Sequence, residues 1–203
     1  MAVGEVEYEA LRQRLLDAAE NLFYARGIQA VGMDEIRGAS GLPLRRIYQL
    51  YPTKEDLVVG FLERRDIGWR GRLEAYADSF DDPRQRVLAV FDWLHEWFNE
   101  PGFRGCAWIN AYGELGSTSS AVSVAVREHK QAFHAYVTRL VRAVGADHPA
   151  PRTLADAVCL LAEGAIVTAA IDQDPRVAFR ARAAAAAMLE AQSGRRDELD
   201  AGA

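Results

Sequence analysis

The sequence has few cysteines, few histidines and no long uninterrupted run of apolar residues, and each shortage argues against a class of protein. Its two cysteines, Cys106 and Cys159, form no C-x-x-C pair, so we expect neither a disulfide scaffold nor a cysteine zinc site. The four histidines show no metal-ligand spacing, and we predict no metal and no cofactor. Because about 18 consecutive apolar residues and a basic leader are both missing, we expect no membrane-spanning helix, no signal peptide and a cytoplasmic protein.

Catalytic motifs are missing as well. The sequence contains no G-x-S-x-G, H-E-x-x-H, G-x-G-x-x-G or P-loop pattern. His129 and His134 are five residues apart, a spacing that places them on different faces of a helix. We therefore predict that the chain is not an enzyme, and we predict no catalytic residues.

What the chain has instead is helical periodicity. Half of its 203 residues are hydrophobic, which is enough for a packed core. Apolar residues recur every three or four positions, as at Leu11, Leu15 and Leu22, and no sustained alternation predicts a strand. Asp82-Pro83 and Asp174-Pro175 have the residue types that begin helices. The sequence therefore predicts an all-α chain of about nine helices.

Two short predicted helices flank Gly41, between Met33 and Tyr51. The residues expected to be buried are Met33, Ile36 and Ala39 in the first helix, Leu44, Ile47 and Tyr51 in the second, and Leu42 at the corner. Such short helices need a third to cover them, and the amphipathic stretch Tyr8–Arg26 supplies it. The pattern is typical of a helix-turn-helix, whose second helix places its early residues in the major groove of DNA.

Charge along this segment agrees with DNA binding. The net charge of the chain is -5, but residues 37–54 contain four basic residues and no acidic one. Thr53 and Asp56 form a predicted capping box that begins a long helix, with Lys54 beside free backbone N–H groups, an arrangement suited to a phosphate. The predicted DNA-binding residues are Arg37, Leu44, Arg45, Arg46, Tyr48, Gln49 and Lys54.

The stretch from Tyr48 to Leu57 resembles the "Y-x-x-F-P-S-K-E-x-L" signature of the TetR family of repressors, with Tyr51, Pro52, Thr53, Lys54 and Glu55 at matching positions. The resemblance covers Leu11 to about Phe61 and includes the spacing of Phe23 and Gly27. It implies an N-terminal three-helix DNA-binding domain, expected over residues 1–52. It also implies a larger helical ligand-binding and dimerisation domain, expected over residues 53–193. Residues 194–203 lack periodic apolar positions and are predicted to form a flexible tail.

Arg45 and Arg46 stand where the family usually has small residues. Two long cations at the front of the recognition helix can read guanine O6 and N7, or both can contact phosphate only. Gly32 and Pro43 also replace the usual Thr and Ser, and both residue types still suit a helix start.

The larger domain is rich in aromatic residues, and all four tryptophans lie between Trp69 and Trp108. Aromatic residues at helical spacing can form core or grip an apolar or aromatic effector. His129 can contact a ligand or be satisfied within the fold, and Glu114 can line a pocket or face solvent. The segment Gly105–Ala111 resembles one seen in a branch of these regulators, and a structural role is equally open. The predicted pocket residues are Trp69, Phe91, Trp97, Phe103, Cys106, Trp108, Asn110, Glu114, His129 and Phe133.

The resemblance further implies a homodimer that forms through the last two helices, expected at Thr153–Ile171 and Pro175–Ala191. Small and apolar residues on both suit a close-packed four-helix interface. The predicted interface residues are Leu161, Ala165, Thr168, Ala181, Ala185 and Met188.

These expectations describe a DNA-binding regulator. We expect a repressor that is released from a near-palindromic double-stranded operator by a small apolar or aromatic effector. The alternative is a helix-turn-helix regulator controlled by a protein partner without a small ligand. Repressor rather than activator follows from the resemblance alone.

Overall fold

The computed structural model describes the backbone of residues 3–145 and 151–200, with the side chains of residues 4–145 and 152–191. Within those residues the chain forms nine α-helices and no strand, which confirms the predicted fold class. The helices are α1 (Val3–Arg26), α2 (Met33–Ser40), α3 (Leu44–Leu50), α4 (Lys54–Ala77), α5 (Pro83–Phe98), α6 (Ala107–Leu115), α7 (Ser120–Val144), α8 (Pro151–Asp172) and α9 (Val177–Asp200).

The end of α9 differs from the sequence prediction. The backbone of residues 194–200, expected to be a flexible tail, continues the helix. Arginine, glutamate and leucine in this segment favour a helix even without a periodic apolar face, which accounts for the difference. Residues 201–203 lie outside the described part of the chain.

The chain forms two compact units, each made of two segments. The first unit contains residues 1–68 and 106–129, and the second contains residues 69–105 and 130–203. Helices α4 and α7 both pass from one unit to the other. The units therefore divide the chain within α4. The domain boundary expected from the sequence lies at the start of α4, and it remains a prediction.

Apolar burial in the first unit follows the predicted helix-turn-helix closely. Ile36 of α2 and Ile47 of α3 are completely buried, and Leu42 at the corner is 3% exposed. Ala39 is exposed, so its predicted burial is wrong. The buried position is Ser40, whose hydroxyl accepts a hydrogen bond from the backbone N–H of Leu42 at 3.3 Å. The satisfied hydroxyl makes a polar residue tolerable there.

The second unit is built around α5, which packs against α8 and α9. Its start is fixed by Asp82, whose carboxylate accepts hydrogen bonds from the backbone N–H groups of Arg84 at 3.2 Å and Gln85 at 3.3 Å. Pro83 occupies the first helical position, as predicted. At the same end of α5, Arg84 donates to the backbone carbonyl of Leu189 in α9 at 2.7 Å.

Candidate nucleic-acid interface

The predicted recognition surface is the exposed face of α3. Gly41 ends α2 in the left-handed conformation, with φ of 64°, and its N–H donates to the carbonyl of Arg37 at 3.0 Å. This glycine turns the chain sharply enough for α3 to begin three residues later. Ile47 and Leu50 are buried on the inner face of α3. The outer face carries the predicted DNA-binding side chains Arg45, Arg46, Tyr48 and Gln49, all exposed.

The two remaining predicted DNA-binding residues of the helix-turn-helix have contacts within the chain. Leu44 is half-buried at the first position of α3. Arg37 is exposed on α2, where its guanidinium lies 3.4 Å from the carboxylate of Asp34. Because this ion pair is exposed, its contribution is small, and a phosphate can compete for the guanidinium.

The capping box predicted at the start of α4 is confirmed. The backbone N–H of Asp56 donates to the hydroxyl of Thr53 at 3.0 Å. In return, the carboxylate of Asp56 accepts from the backbone N–H of Thr53 at 2.9 Å and from its hydroxyl at 2.7 Å. Each residue thus satisfies a backbone N–H that the helix start would leave unpaired.

The ammonium of Lys54, predicted to contact DNA phosphate, also has partners within the protein. It donates to the backbone carbonyls of Ile28 at 2.7 Å and Val31 at 2.6 Å, in the turn between α1 and α2. Burial lowers the pKa of this ammonium, while the nearby carboxylates of Glu114 and Glu35 act in the opposite direction. Two of its three N–H donors are therefore used within the protein, and the cation holds the turn.

Five of the predicted pocket residues lie in the second unit, and three of them form an aromatic cluster around Trp69. Trp69 meets Trp97 and Phe133 edge to face, with ring centroids 5.6 Å and 5.7 Å apart. Phe103 continues the cluster, 5.0 Å from Trp97. Phe91 is completely buried. The structure thus brings Trp69, Trp97, Phe103 and Phe133 together as closely packed rings.

In the first unit, His129 of α7 is 4% exposed and lies at the centre of a polar and aromatic contact. Its imidazole stacks on the indole of Trp108 in α6, with centroids 3.5 Å apart and planes 2° from parallel. Its Nδ1 lies 2.6 Å from the carboxylate of Asp66 in α4. Asp66 could not be found from the sequence, because it lies 63 positions from His129 and no local pattern joins the two residues.

The other predicted pocket residues at α6 lie in three different environments. Cys106 is buried at the start of the helix, where its sulfur accepts from the backbone N–H of Ile109 at 3.5 Å. Asn110 is exposed, so it faces away from the core rather than into it. Glu114 binds the backbone of Ile28 and Gln29, so its carboxylate neither lines an aromatic cluster nor lies free in solvent.

The predicted dimer residues differ in their exposure within the single chain. Ala165, Ala181 and Ala185 are buried within the single chain, at 7% exposure or less, because these small residues let α8, α9 and α5 pack closely. Leu161, Thr168 and Met188 are half-buried.

The exposed apolar face of α8 lies elsewhere on the helix. Leu160 is 74% exposed and Ile171 is 75% exposed, with Val167 and Gly164 also exposed between them. Their spacing of four, three and four residues places them on one stripe of the helix. This stripe was readable as a pattern, but the sequence holds two apolar faces on α8 and does not say which one is buried.

Helix α8 is also long and apolar enough over Arg152–Asp172 to cross a membrane by length and composition alone. The sequence criterion of about 18 consecutive apolar residues did not detect this helix, because polar and charged residues interrupt the apolar run. Eight of its residues are nevertheless buried in the second unit: Leu154, Ala155, Val158, Cys159, Ala162, Ala165, Ile166 and Ala169. A helix that packs on one face and presents an apolar stripe on the other has the same hydropathy, so this signal is weak.

Comparisons with known proteins agree with this geometry. The family described as "Bacterial regulatory proteins, tetR family" matches residues 15–60, and "Tetracyclin repressor-like, C-terminal domain" matches residues 83–185. The chain is 29% identical to the transcriptional regulator AcuR of Cereibacter sphaeroides over 180 residues, 85% of this chain and 82% of AcuR. It is 30% identical to the transcriptional activator FasR of Mycolicibacterium smegmatis over 132 residues, 63% of this chain and 59% of FasR.

A solved structure extends the similarity to three dimensions. The crystal structure of a TetR-family transcriptional regulator from Streptomyces coelicolor superposes with a TM-score of 0.82 at 30% identity. The match covers 90% of this chain and 96% of that one. The similarity therefore includes both the helix-turn-helix and the larger helical region.

Proposed function

Because the chain belongs to the TetR family of DNA-binding transcriptional regulators, we propose that it is a repressor released from a near-palindromic operator by a small apolar or aromatic effector. The observation that carries the DNA-binding part is the outer face of α3. Four exposed side chains with two cations stand there on a helix whose inner face is fixed in the core. Regulation takes place where the DNA is, in the cytoplasm.

Arg45 and Arg46 are proposed to give sequence preference, since they occupy the first turn of the recognition helix. A bidentate arginine–guanine contact is worth about 1 to 3 kcal/mol of discrimination. Arg45→Ala and Arg46→Ala should therefore relax the preference at particular base pairs, whereas Tyr48→Phe should weaken binding to all duplexes similarly. Equal losses on operator and random DNA for all three variants would refute base reading by these residues.

The exposed stripe on α8 supports a homodimer. An exposed apolar stripe on a helix normally marks an interaction surface, and Gly164 within it allows two helices to approach closely. We expect Ile171→Glu to shift the chain toward monomer in analytical ultracentrifugation. Val124→Glu is the matched control, because Val124 is an exposed apolar residue on α7. An unchanged dimer for Ile171→Glu would assign the interface to another surface.

The cluster around Trp69 is the proposed effector site. The rings of this cluster pack against one another. An aromatic effector that enters the cluster would lose none of this interaction, because its own ring would pack against the rings that it separates. To release DNA, the effector must bind the DNA-incompetent arrangement more tightly than the competent one. Trp69 and Lys54 both lie on α4, which makes this helix the proposed lever between effector and DNA.

The test is release of bound operator by a library of lipophilic and aromatic compounds, followed by fluorescence anisotropy. A compound that releases the duplex should also stabilise the free protein, by about 2.7 kcal/mol at 100 times its dissociation constant. Trp69→Phe should weaken its binding, and Tyr112→Phe, at an exposed aromatic residue of α6, should not. If no compound releases the duplex, control by a protein partner becomes the better proposal.

An activator is the second candidate, because the similar FasR is described as a transcriptional activator. The two alternatives differ in transcription from a promoter that contains the selected operator. A repressor lowers the transcript level when it binds, and an activator raises it. Measuring that transcript with and without the protein in vitro decides between them.

A further inference from the structure

The turn between α1 and α2, residues 27–32, is held by a residue from a distant part of the chain. The backbone N–H of Ile28 donates to one carboxylate oxygen of Glu114 at 2.9 Å, and that of Gln29 donates to the other at 2.7 Å. The side-chain amide of Gln29 donates to the backbone carbonyl of Glu114 at 2.6 Å. One residue near the end of α6 therefore binds the turn at three points.

The close approach of this carboxylate depends on Gly27. Its φ of +89° is strained for any other residue, and a Cβ placed there would lie 3.2 Å from a carboxylate oxygen of Glu114. The carboxylate thus lies directly against the backbone of the turn. Charge-assisted hydrogen bonds of this kind are about twice as strong as neutral ones.

Lys54 completes the arrangement from α4. It binds the carbonyls of Ile28 and Val31, whereas Glu114 binds the N–H groups of Ile28 and Gln29. The donors of the turn are therefore held by α6 and its acceptors by α4. The turn leads directly into α2, and through Gly41 into the recognition helix α3.

We infer that Glu114 is a positioning residue for operator binding: it fixes the turn before the helix-turn-helix to α6, and so sets where the recognition helix is presented. Glu114 acts through the N–H groups of the turn and Lys54 of α4 acts through its carbonyls, so the two contacts can be removed separately. The inference rests on the proposed binding of a two-fold operator. In such a complex, each of the two chains has the contact between Glu114 and the turn. Together the two contacts determine the spacing between the two recognition helices.

The first experiment measures the turn without DNA. Glu114→Gln keeps the size of the side chain but leaves one acceptor oxygen, so at least one of the amides of Ile28 and Gln29 loses its bond. We expect hydrogen exchange at that amide, followed by NMR, to become roughly tenfold faster or more. Glu128→Gln, which removes the same charge from an exposed position on α7, should leave both amides unchanged. Unchanged exchange in Glu114→Gln would overturn the inference.

The second experiment measures the preference for half-site spacing, which would not change if Glu114 only capped the turn. A duplex selected from random DNA by the wild-type chain is compared with versions whose half-sites are one base pair closer or farther apart. We expect Glu114→Gln to bind the selected duplex several-fold more weakly and to lose much less affinity than wild type when the spacing changes. If Glu114→Gln shows faster amide exchange but the same spacing preference as Glu128→Gln, then Glu114 only caps the turn and the inference is overturned.

If Glu114→Gln does not fold, Gln29→Ala provides an alternative test. It removes a single hydrogen bond from an exposed side chain, and should relax the spacing preference in the same direction by a smaller factor. No change in that preference would then overturn the inference. Failure of the wild-type chain to select any duplex would instead refute the proposed function, and the amide exchange would be unaffected.

Discussion

Replacing Lys54 with methionine separates two roles of this residue that the sequence alone does not distinguish. The ammonium donates to two backbone carbonyls, and hydrogen bonds to charged groups contribute about 1.5 to 3 kcal/mol each. Lys54 is only half-buried, so water replaces part of each bond, and we expect a total loss of about 1 to 3 kcal/mol. For a chain of this length that loss lowers Tm by about 3 to 10 °C.

The assay combines thermal unfolding with the salt dependence of operator binding. Each lost phosphate contact reduces the slope of log affinity against log salt by about 0.9. Because the ammonium of Lys54 is directed to the protein's own carbonyls, Lys54→Met should lower Tm and the overall affinity while leaving that slope nearly unchanged. Arg46→Met, at an exposed cation, should weaken operator binding with little change in Tm. A reduced slope with an unchanged Tm for Lys54→Met would refute the internal role and restore a phosphate contact.

Three further expectations concern stability and reactivity. The backbone N–H of Gly32 and the guanidinium of Arg26 hold the pKa of Glu35 below its ordinary value of 4.5, so its stabilising effect is present above pH 4.5 and is lost as pH falls through the lower folded value. Glu35→Gln should make Tm depend less on pH in that acid range, and an unchanged dependence would contradict this. Asp82→Ala should cost about 1 kcal/mol through loss of the cap of α5, seen as a lower urea midpoint, whereas an unchanged midpoint would argue against the cap. Burial raises the pKa of the Cys159 thiol to about 12, so a thiol reagent should label it only on unfolding; labelling of the folded chain would contradict its burial.

Features with a local cause could be predicted from the sequence. The capping box of Thr53 and Asp56 and the cap at Asp82 depend on residues within three positions of one another. The left-handed Gly41 and the buried Ile36 and Ile47 follow from turn chemistry and helical periodicity in the same way. These signals were enough to predict the nine helices of the described part of the chain and the exposed face of α3.

Features that depend on packing between distant segments could not be predicted. The contact of Glu114 with Gln29 joins residues 85 positions apart. Both faces of α8 are apolar, so only the packed structure shows that Ala165 is buried and Leu160 is exposed. The two carbonyl partners of Lys54 could not be predicted either, because backbone carbonyls have no sequence signature.

The central claim, that the exposed face of α3 reads DNA, is tested most directly by selection from random duplexes followed by quantitative binding at fixed salt. We predict a near-palindromic duplex bound by two chains, at least about 1,000-fold more tightly than random DNA. The double variant with Arg45→Ala and Arg46→Ala should lose most of that ratio while it remains folded. Failure to enrich any sequence, or an equal preference in the double variant, would contradict the account.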